Sequence, residues 1–226
     1  MFTLDQVVPW GRSYEEYRQM FALTDADLQS SILGCADGPA SFNTEATRRG
    51  TRVVSFDPLY RYDVSQIRDR IVATSEQVLE QTRQNAGEFV WDTISSVEHL
   101  GTVRMAAMQA FLADFDAGRR QGRYVEAELP SVPFPDASFD LAVCSHFLFL
   151  YTAQLTEAFH QAAAIELCRV AREVRIFPLL ALGGRPSPYV ERVADASRRR
   201  GYDVAIEVVP YEFQRGGNQM MRIWLA

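Results

Sequence analysis

Apolar residues follow two rhythms along this chain. Residues 31–35, 52–56, 139–144 and 174–177 form short runs that are apolar with little alternation. Such runs suit strands of a parallel sheet, whose two faces are both covered by helices. Between them the apolar spacing becomes helical. Residues 39–49 predict a helix with Pro39 at its first position and Gly50 as its stop. Residues 156–172 predict a second. Ser187 followed by Pro188 predicts a cap and a first-turn proline, for a helix that runs to Arg198-Arg199-Arg200 and ends at Gly201. Three cations there suit the negative end of a helix dipole.

The last quarter changes rhythm. Tyr202, Val204, Ile206 and Val208 alternate with other residues, and a second run at 220–225 follows Gly216-Gly217. Two strands around a Gly-Gly turn predict an antiparallel hairpin. The expected fold class is therefore α/β, a Rossmann-like and mostly parallel sheet closed by an antiparallel C-terminal hairpin, in one domain over 1–226. One connection is too long: residues 59–122 separate two strand regions where a crossover needs only about 10–12 residues. Ile67, Ile71, Val78, Leu79 and Thr82 keep helical spacing there, as do Val103, Ala107, Phe111 and Leu112, with Phe115 extending the face. The stretch reads as an insertion of about three helices after the second strand. It is either a lid over a site or a long helix pair packed on the sheet.

Composition narrows the chemistry. The 226 residues carry a net charge of −6, a poor basis for wrapping a phosphate backbone, so DNA is not an expected partner. All 23 basic side chains are arginine, which excludes a P-loop lysine, a Schiff-base lysine and a lysine general base. Cys35, Cys144 and Cys168 are too few and too scattered for a disulfide scaffold or a zinc ribbon. Cys144 and His146 share a strand face, but a metal needs three or four ligands, and no metal site is expected. Neither a leader-like start nor a run of 18 apolar residues is present, so a cytoplasmic protein without a membrane partner is expected.

Residues 31–39, Ser-Ile-Leu-Gly-Cys-Ala-Asp-Gly-Pro, read as a buried strand, a glycine-bearing turn and a helix start. Such a turn presents backbone N–H groups and a helix N-terminus to a ligand above the strand ends. Asp57 follows 19 residues after Gly38, at the end of the next apolar run, where a carboxylate accepts hydrogen bonds from ribose hydroxyls. A dinucleotide fingerprint needs glycine at 34, 36 and 39, but the chain has Gly34, Ala36 and Pro39. Asp37 also puts a carboxylate where a pyrophosphate would be repelled. A cofactor bearing a sulfonium and an ammonium group tolerates that charge.

Ile32-Leu33-Gly34-Cys35-Ala36-Asp37-Gly38-Pro39 resembles the first motif of the class I S-adenosylmethionine-dependent methyltransferases (type 11-like), with Ala36 where glycine is usual. Residues 54–58, ending in Asp57-Pro58, are similar to their second-strand end. Residues 132–140, Val-Pro-Phe-Pro-Asp-Ala-Ser-Phe-Asp, resemble the stretch before their fourth strand. The three matches cover roughly positions 28–180. The resemblance implies a seven-stranded sheet and S-adenosylmethionine as cofactor. The turn residues Gly34, Cys35, Ala36, Asp37 and Gly38 would surround its methionine part, and Asp57 with Pro58 its ribose. Glu128 and Leu129 would lie near the adenine, and Ser145 and His146 would face the methyl group.

In the leader at 10–17, Arg12 would take the methionine carboxylate, unless this segment simply packs Tyr14 and Tyr17 on the sheet. His146 is a candidate general base, or equally a hydrogen-bonded structural histidine. The fourth strand ends in Cys-Ser-His-Phe, not the Asn/Asp-Pro-Pro-Tyr/Phe of base-amino methylation, so a small-molecule acceptor is expected. Methyl transfer demands alignment above all, worth about 7–11 kcal/mol, so no loud catalytic motif is needed. A non-catalytic cofactor-holding sensor and, less well, a nicotinamide oxidoreductase are the alternatives.

Overall fold

A computed structural model describes residues 8–225. In chain order its elements are α1 (Tyr14–Met20), β1 (Ser31–Cys35), α2 (Phe42–Arg48), β2 (Arg52–Phe56), α3 (Val64–Gln84), α4 (Val97–Arg120), β3 (Tyr124–Val125), β4 (Phe139–Ser145), α5 (Glu157–Val170), β5 (Ala171–Phe177), α6 (Val190–Arg198), β6 (Asp203–Val208) and β7 (Gln219–Trp224). The strands form one sheet in the order β3-β2-β1-β4-β5-β7-β6. β3, β2, β1, β4 and β5 run parallel, and β7 is antiparallel to both β5 and β6. The order reverses between β1 and β4, which leaves a crevice at their C-terminal ends.

Alternate residues of each strand feed different cores, which is why the runs are apolar throughout. Leu33 and Cys35 of β1, Ala142 and Cys144 of β4, and Val174 and Ile176 of β5 pack with α5 and α6. Ile32, Leu141 and Val143 face the other way, onto Tyr14, Tyr17 and Phe42.

The expected insertion is chiefly two long antiparallel helices, α3 and α4, with short 3-10 turns at 58–61 and 86–88. Asp63 and Gln66 form a capping box that starts α3. Ile67, Ile71, Met108, Phe111 and Phe115 build a core of their own with Tyr60 and Tyr124. The predicted spacing of apolar residues is thus realised as helix pairing.

Three local expectations change. The helix expected over 39–49 starts at Phe42, so Pro39 lies before it and not at its first position. The helix after Ser187 starts at Val190, and the Ser187 hydroxyl accepts from the Tyr189 N–H (3.3 Å) instead of capping the first turn. The hairpin has no tight Gly-Gly turn. Its register runs from Asp203↔Trp224 to Val208↔Gln219, so residues 209–218 form a long connection. That connection is engaged elsewhere: Val90 N donates to Phe213 O (2.8 Å), Arg215 N donates to Glu88 O (2.9 Å), and the Phe89 and Phe213 rings stack with centroids 4.9 Å apart. Pairing with the insertion, not strand reversal alone, sets its length.

Candidate active site

A cavity of about 300 Å³ lies over the C-terminal ends of β1, β2, β4 and β5. Its floor is the turn after β1. Ala36 sits at φ +53° and Gly38 at φ +51°, both in the left-handed region, and Ala36 N donates to Phe56 O (3.0 Å). Glycine is the unstrained choice there, so the alanine at 36 carries a cost of roughly 1 kcal/mol. Gly34 is required for a different reason. A Cβ on it would fall 1.8 Å from an Asp37 carboxylate oxygen. Asp37 folds back over the strand end, where it accepts from Tyr17 Oη (2.7 Å) and Ser55 Oγ (2.6 Å).

Asp57, at the end of β2, accepts from Gly38 N (2.9 Å) and Leu59 N (2.7 Å), which ties the second strand to the turn. Tyr60 Oη closes the same loop by donating to Gly38 O (2.8 Å). Burial pushes both carboxyls up to about 6, Asp37 against the bonds from Ser55 and Tyr17, and Asp57 against those from Leu59 and Gly38. The charge of Asp57 adds to the shift at Asp37.

The leader lies directly on this turn. Ser41 N donates to Arg12 O (3.0 Å), and a Cβ on Gly11 would come within 2.2 Å of Pro39 O. Only glycine permits that approach, and it sets Arg12 at the cavity wall. Arg12 donates through Nη1 to Trp10 O (2.5 Å), while its buried Nε has no hydrogen-bond partner. Burial, then the charge of Arg104, lowers Arg12 to about 10, so it stays protonated at neutral pH.

At the end of β4 the Ser145 hydroxyl lies 2.9 Å from His146 Nδ1, and His146 N donates to Phe177 O (2.7 Å). His146 is also held in the left-handed region, at φ +53°. Burial, then the charges of Arg12 and Arg104, push its imidazole well below its ordinary value, so it is neutral at pH 7.

The opposite wall comes from α3, α4 and the connection 209–218. Val78, Leu100 and Phe89 present apolar surface, with Tyr211 and Phe213 beside them. Arg104 of α4 is wholly buried. Its Nη1 is ion-paired with Glu16 of α1, and its Nη2 donates weakly to Tyr211 Oη (3.4 Å), which in turn donates to Glu16 (2.9 Å). Burial opposes ionisation of Glu16, but the charge and hydrogen bond of Arg104, with the Ser13 backbone bond, hold its carboxyl at about 2.

Of the residues singled out in the sequence, Arg12, Ala36, Asp37, Gly38, Asp57, Pro58, Ser145 and His146 line the cavity. Gly34 lies beneath the turn, and Cys35 is buried in the core opposite its strand partner Cys144. Glu128 and Leu129 are not brought to this cavity. β3 is only two residues long, and the chain then folds back in a Glu128↔Ser131 bridge. Glu128 is left exposed and Leu129 is buried in the core, away from the cavity lining.

Sequence reasoning missed Arg104, Tyr60 and Tyr211. Arg104 had a signal: it lies four residues from Leu100 and four from Met108, a charge in the middle of an apolar helical stripe. Tyr17 belongs to both alternatives raised for the leader, since its ring packs on Phe42 (4.5 Å) while its hydroxyl reaches Asp37.

The family model described as "Methyltransferase domain" matches residues 97–173. An uncharacterized protein of Methanocaldococcus jannaschii is 30% identical over 221 residues, covering 97% of each chain. Among solved structures, magnesium protoporphyrin IX methyltransferase of Synechocystis, crystallised with bound S-adenosylmethionine, is similar at 10% identity and a TM-score of 0.47, over 89% of this chain and 73% of that one. An S-adenosylmethionine-dependent methyltransferase of Aquifex aeolicus is similar at 13% identity and a TM-score of 0.41, over 86% of this chain and 80% of that one.

Proposed function

The chain belongs to one family with the Methanocaldococcus jannaschii protein, and we propose that it is a class I S-adenosylmethionine-dependent methyltransferase that methylates a small molecule held between the turn after β1 and the inserted helices. The observation that carries this reading is the division of charge in one cavity. Two carboxylates, Asp37 and Asp57, lie at the strand ends, and a protonated arginine with an unpartnered Nε, Arg12, lines the same cavity.

That arrangement suits the charges of S-adenosylmethionine. Asp57 is placed for the ribose hydroxyls, with two backbone N–H groups already holding it in position. Asp37 brings negative charge under the sulfonium and ammonium groups, and Arg12 is placed for the carboxylate. When bound, the cofactor supplies an electrophilic methyl group that leaves as its sulfur becomes a neutral thioether.

The protein's own residues do the rest. Phe89, Leu100 and Phe213 wall the acceptor side against water, and the rigid turn fixes the line of approach. His146 is neutral and tethered to Ser145, which leaves its imidazole available to take the acceptor's proton. A sensor that only holds the cofactor has no use for the second, aromatic-walled half of the cavity, so transfer is the better reading. Calorimetry with S-adenosylmethionine, followed by radiolabelled methyl transfer into small-molecule fractions, tests it. Absence of cofactor binding sinks it.

A further inference from the structure

The cavity has more positive charge than its cofactor explains. Four arginines line it (Arg12, Arg61, Arg70 and Arg104) against the carboxylates of Asp37 and Asp57 and that of Glu16 behind Arg104, in a protein whose net charge is −6. S-adenosylmethionine carries two cationic groups and one carboxylate, so it cannot balance that excess. Arg61 and Arg70 both stack on Tyr62, at 5.0 and 4.0 Å from its centroid.

Arg104 is the sharpest case. It has no exposed surface, and its buried Nε donates to nothing. Glu16 occupies its Nη1, so the side edge of the guanidinium, Nε with Nη2, is engaged only by the 3.4 Å bond to Tyr211. That edge is the planar fork that receives a carboxylate through two parallel hydrogen bonds. Tyr211 is bonded to it and Leu100 precedes it by one helical turn, and the same cavity is lined by Phe89 and Phe213, whose rings stack.

We propose that the methyl acceptor is an aromatic carboxylic acid, its ring held against Phe89 and Phe213 and its carboxylate bound by the Nε–Nη2 edge of Arg104. The inference rests on the methyltransferase reading for the word acceptor, and on Arg104 for the chemistry of the ligand. Arg12 is left for the cofactor and Arg104 for the acid, while Arg61 and Arg70 at the rim attract the anion from solution.

The test is calorimetric titration of benzoate, phenylacetate and 3-phenylpropionate, each beside its neutral amide, into protein with and without saturating S-adenosylhomocysteine. At least one acid binds tenfold or more tighter than its amide in both forms. Arg104→Lys keeps a cation opposite Glu16 but lacks the fork. It lowers the affinity for that acid at least tenfold and leaves the affinities for the amide and for S-adenosylhomocysteine within twofold. The proposal is overturned if no acid outbinds its amide in either form, or if Arg104→Lys keeps the preference. The acid–amide contrast on the unaltered protein decides the matter alone should Arg104→Lys fail to fold. Failure of S-adenosylhomocysteine to bind, with the acid preference intact, overturns the cofactor reading and leaves the anion site standing.

Discussion

The two ends of the cavity are built on different principles. At the strand ends, residues 34–38 and 57 form a compact, acidic floor held by hydrogen bonds across 18–22 residues: Asp57 to Gly38 N, Tyr60 to Gly38 O, and Asp37 to Tyr17 and Ser55. At the far end, a basic and aromatic wall is assembled from three segments distant in sequence, joined through Glu16, Arg104 and Tyr211. The floor joins segments 18–22 residues apart. The wall joins segments 88 and 107 residues apart. On the proposed reading, the cofactor uses the first and the acceptor the second.

The largest test of that contrast removes the link at the far end. Glu16→Gln leaves the buried Arg104 and its neighbour Arg12 without their counter-charge, and breaking one partner of a buried pair costs about 3–5 kcal/mol. For a chain of this size that lowers Tm by roughly 10 °C, read by calorimetric melting. The same carboxyl gives an acid limit. Its folded pKa of about 2 lies below its unfolded value, so the stability it contributes is present above about pH 4.3 and is lost as the pH falls toward 2. An unchanged melting point in Glu16→Gln would mean that the wall holds without its ion pair.

Asp57→Ala strikes the floor instead. Losing hydrogen bonds to a charged group weakens cofactor binding by about 1.5–3 kcal/mol, at least tenfold, while Tm moves less than in Glu16→Gln. Equal affinity by calorimetry would remove Asp57 from the ribose site.

The pH dependence of cofactor binding separates the ends further. Asp37 and Asp57 are raised to about 6, so below that pH they take up protons and the floor loses negative charge. Affinity for S-adenosylmethionine falls as the pH drops from 7 to 5, by about a decade. In Asp57→Asn the slope becomes shallower. These same protons stabilise the folded state, because a raised acid pKa means that folding gains as the pH falls from about 6 to 4. The floor and Glu16 therefore answer acid with opposite signs.

The smallest effect is Ala36→Gly. Relief of a left-handed alanine and the greater freedom of an unfolded glycine nearly cancel, and stability changes by less than about 1 kcal/mol. A large loss of stability would show that the methyl group of Ala36 packs rather than merely strains.

What could be read from the sequence and what could not follow from this division. The strand runs at 31–35, 52–56 and 139–144, the turn between 34 and 38, and Asp57 at a strand end were legible because strand burial, left-handed turns and helix starts are each decided within a few residues. Even there, the place of Glu128 and Leu129 outside the cavity lining was not legible, since a two-residue β3 that folds back at once left no periodic trace. The helix pair at 64–84 and 97–120 was foreseeable as helices, but its inner face was not.

The sequence by itself therefore determined the strand runs, the helical stretches between them and the acidic glycine turn. Tertiary structure alone decided that Glu16, Arg104 and Tyr211 meet, that residues 209–218 reach across to 88–90 instead of turning tightly, and that Arg12 lines the same cavity as the two carboxylates. The reason is range. Backbone conformation and periodic burial are set by neighbours along the chain, whereas a buried guanidinium is tolerable only when residues 88 and 107 positions away deliver its partners.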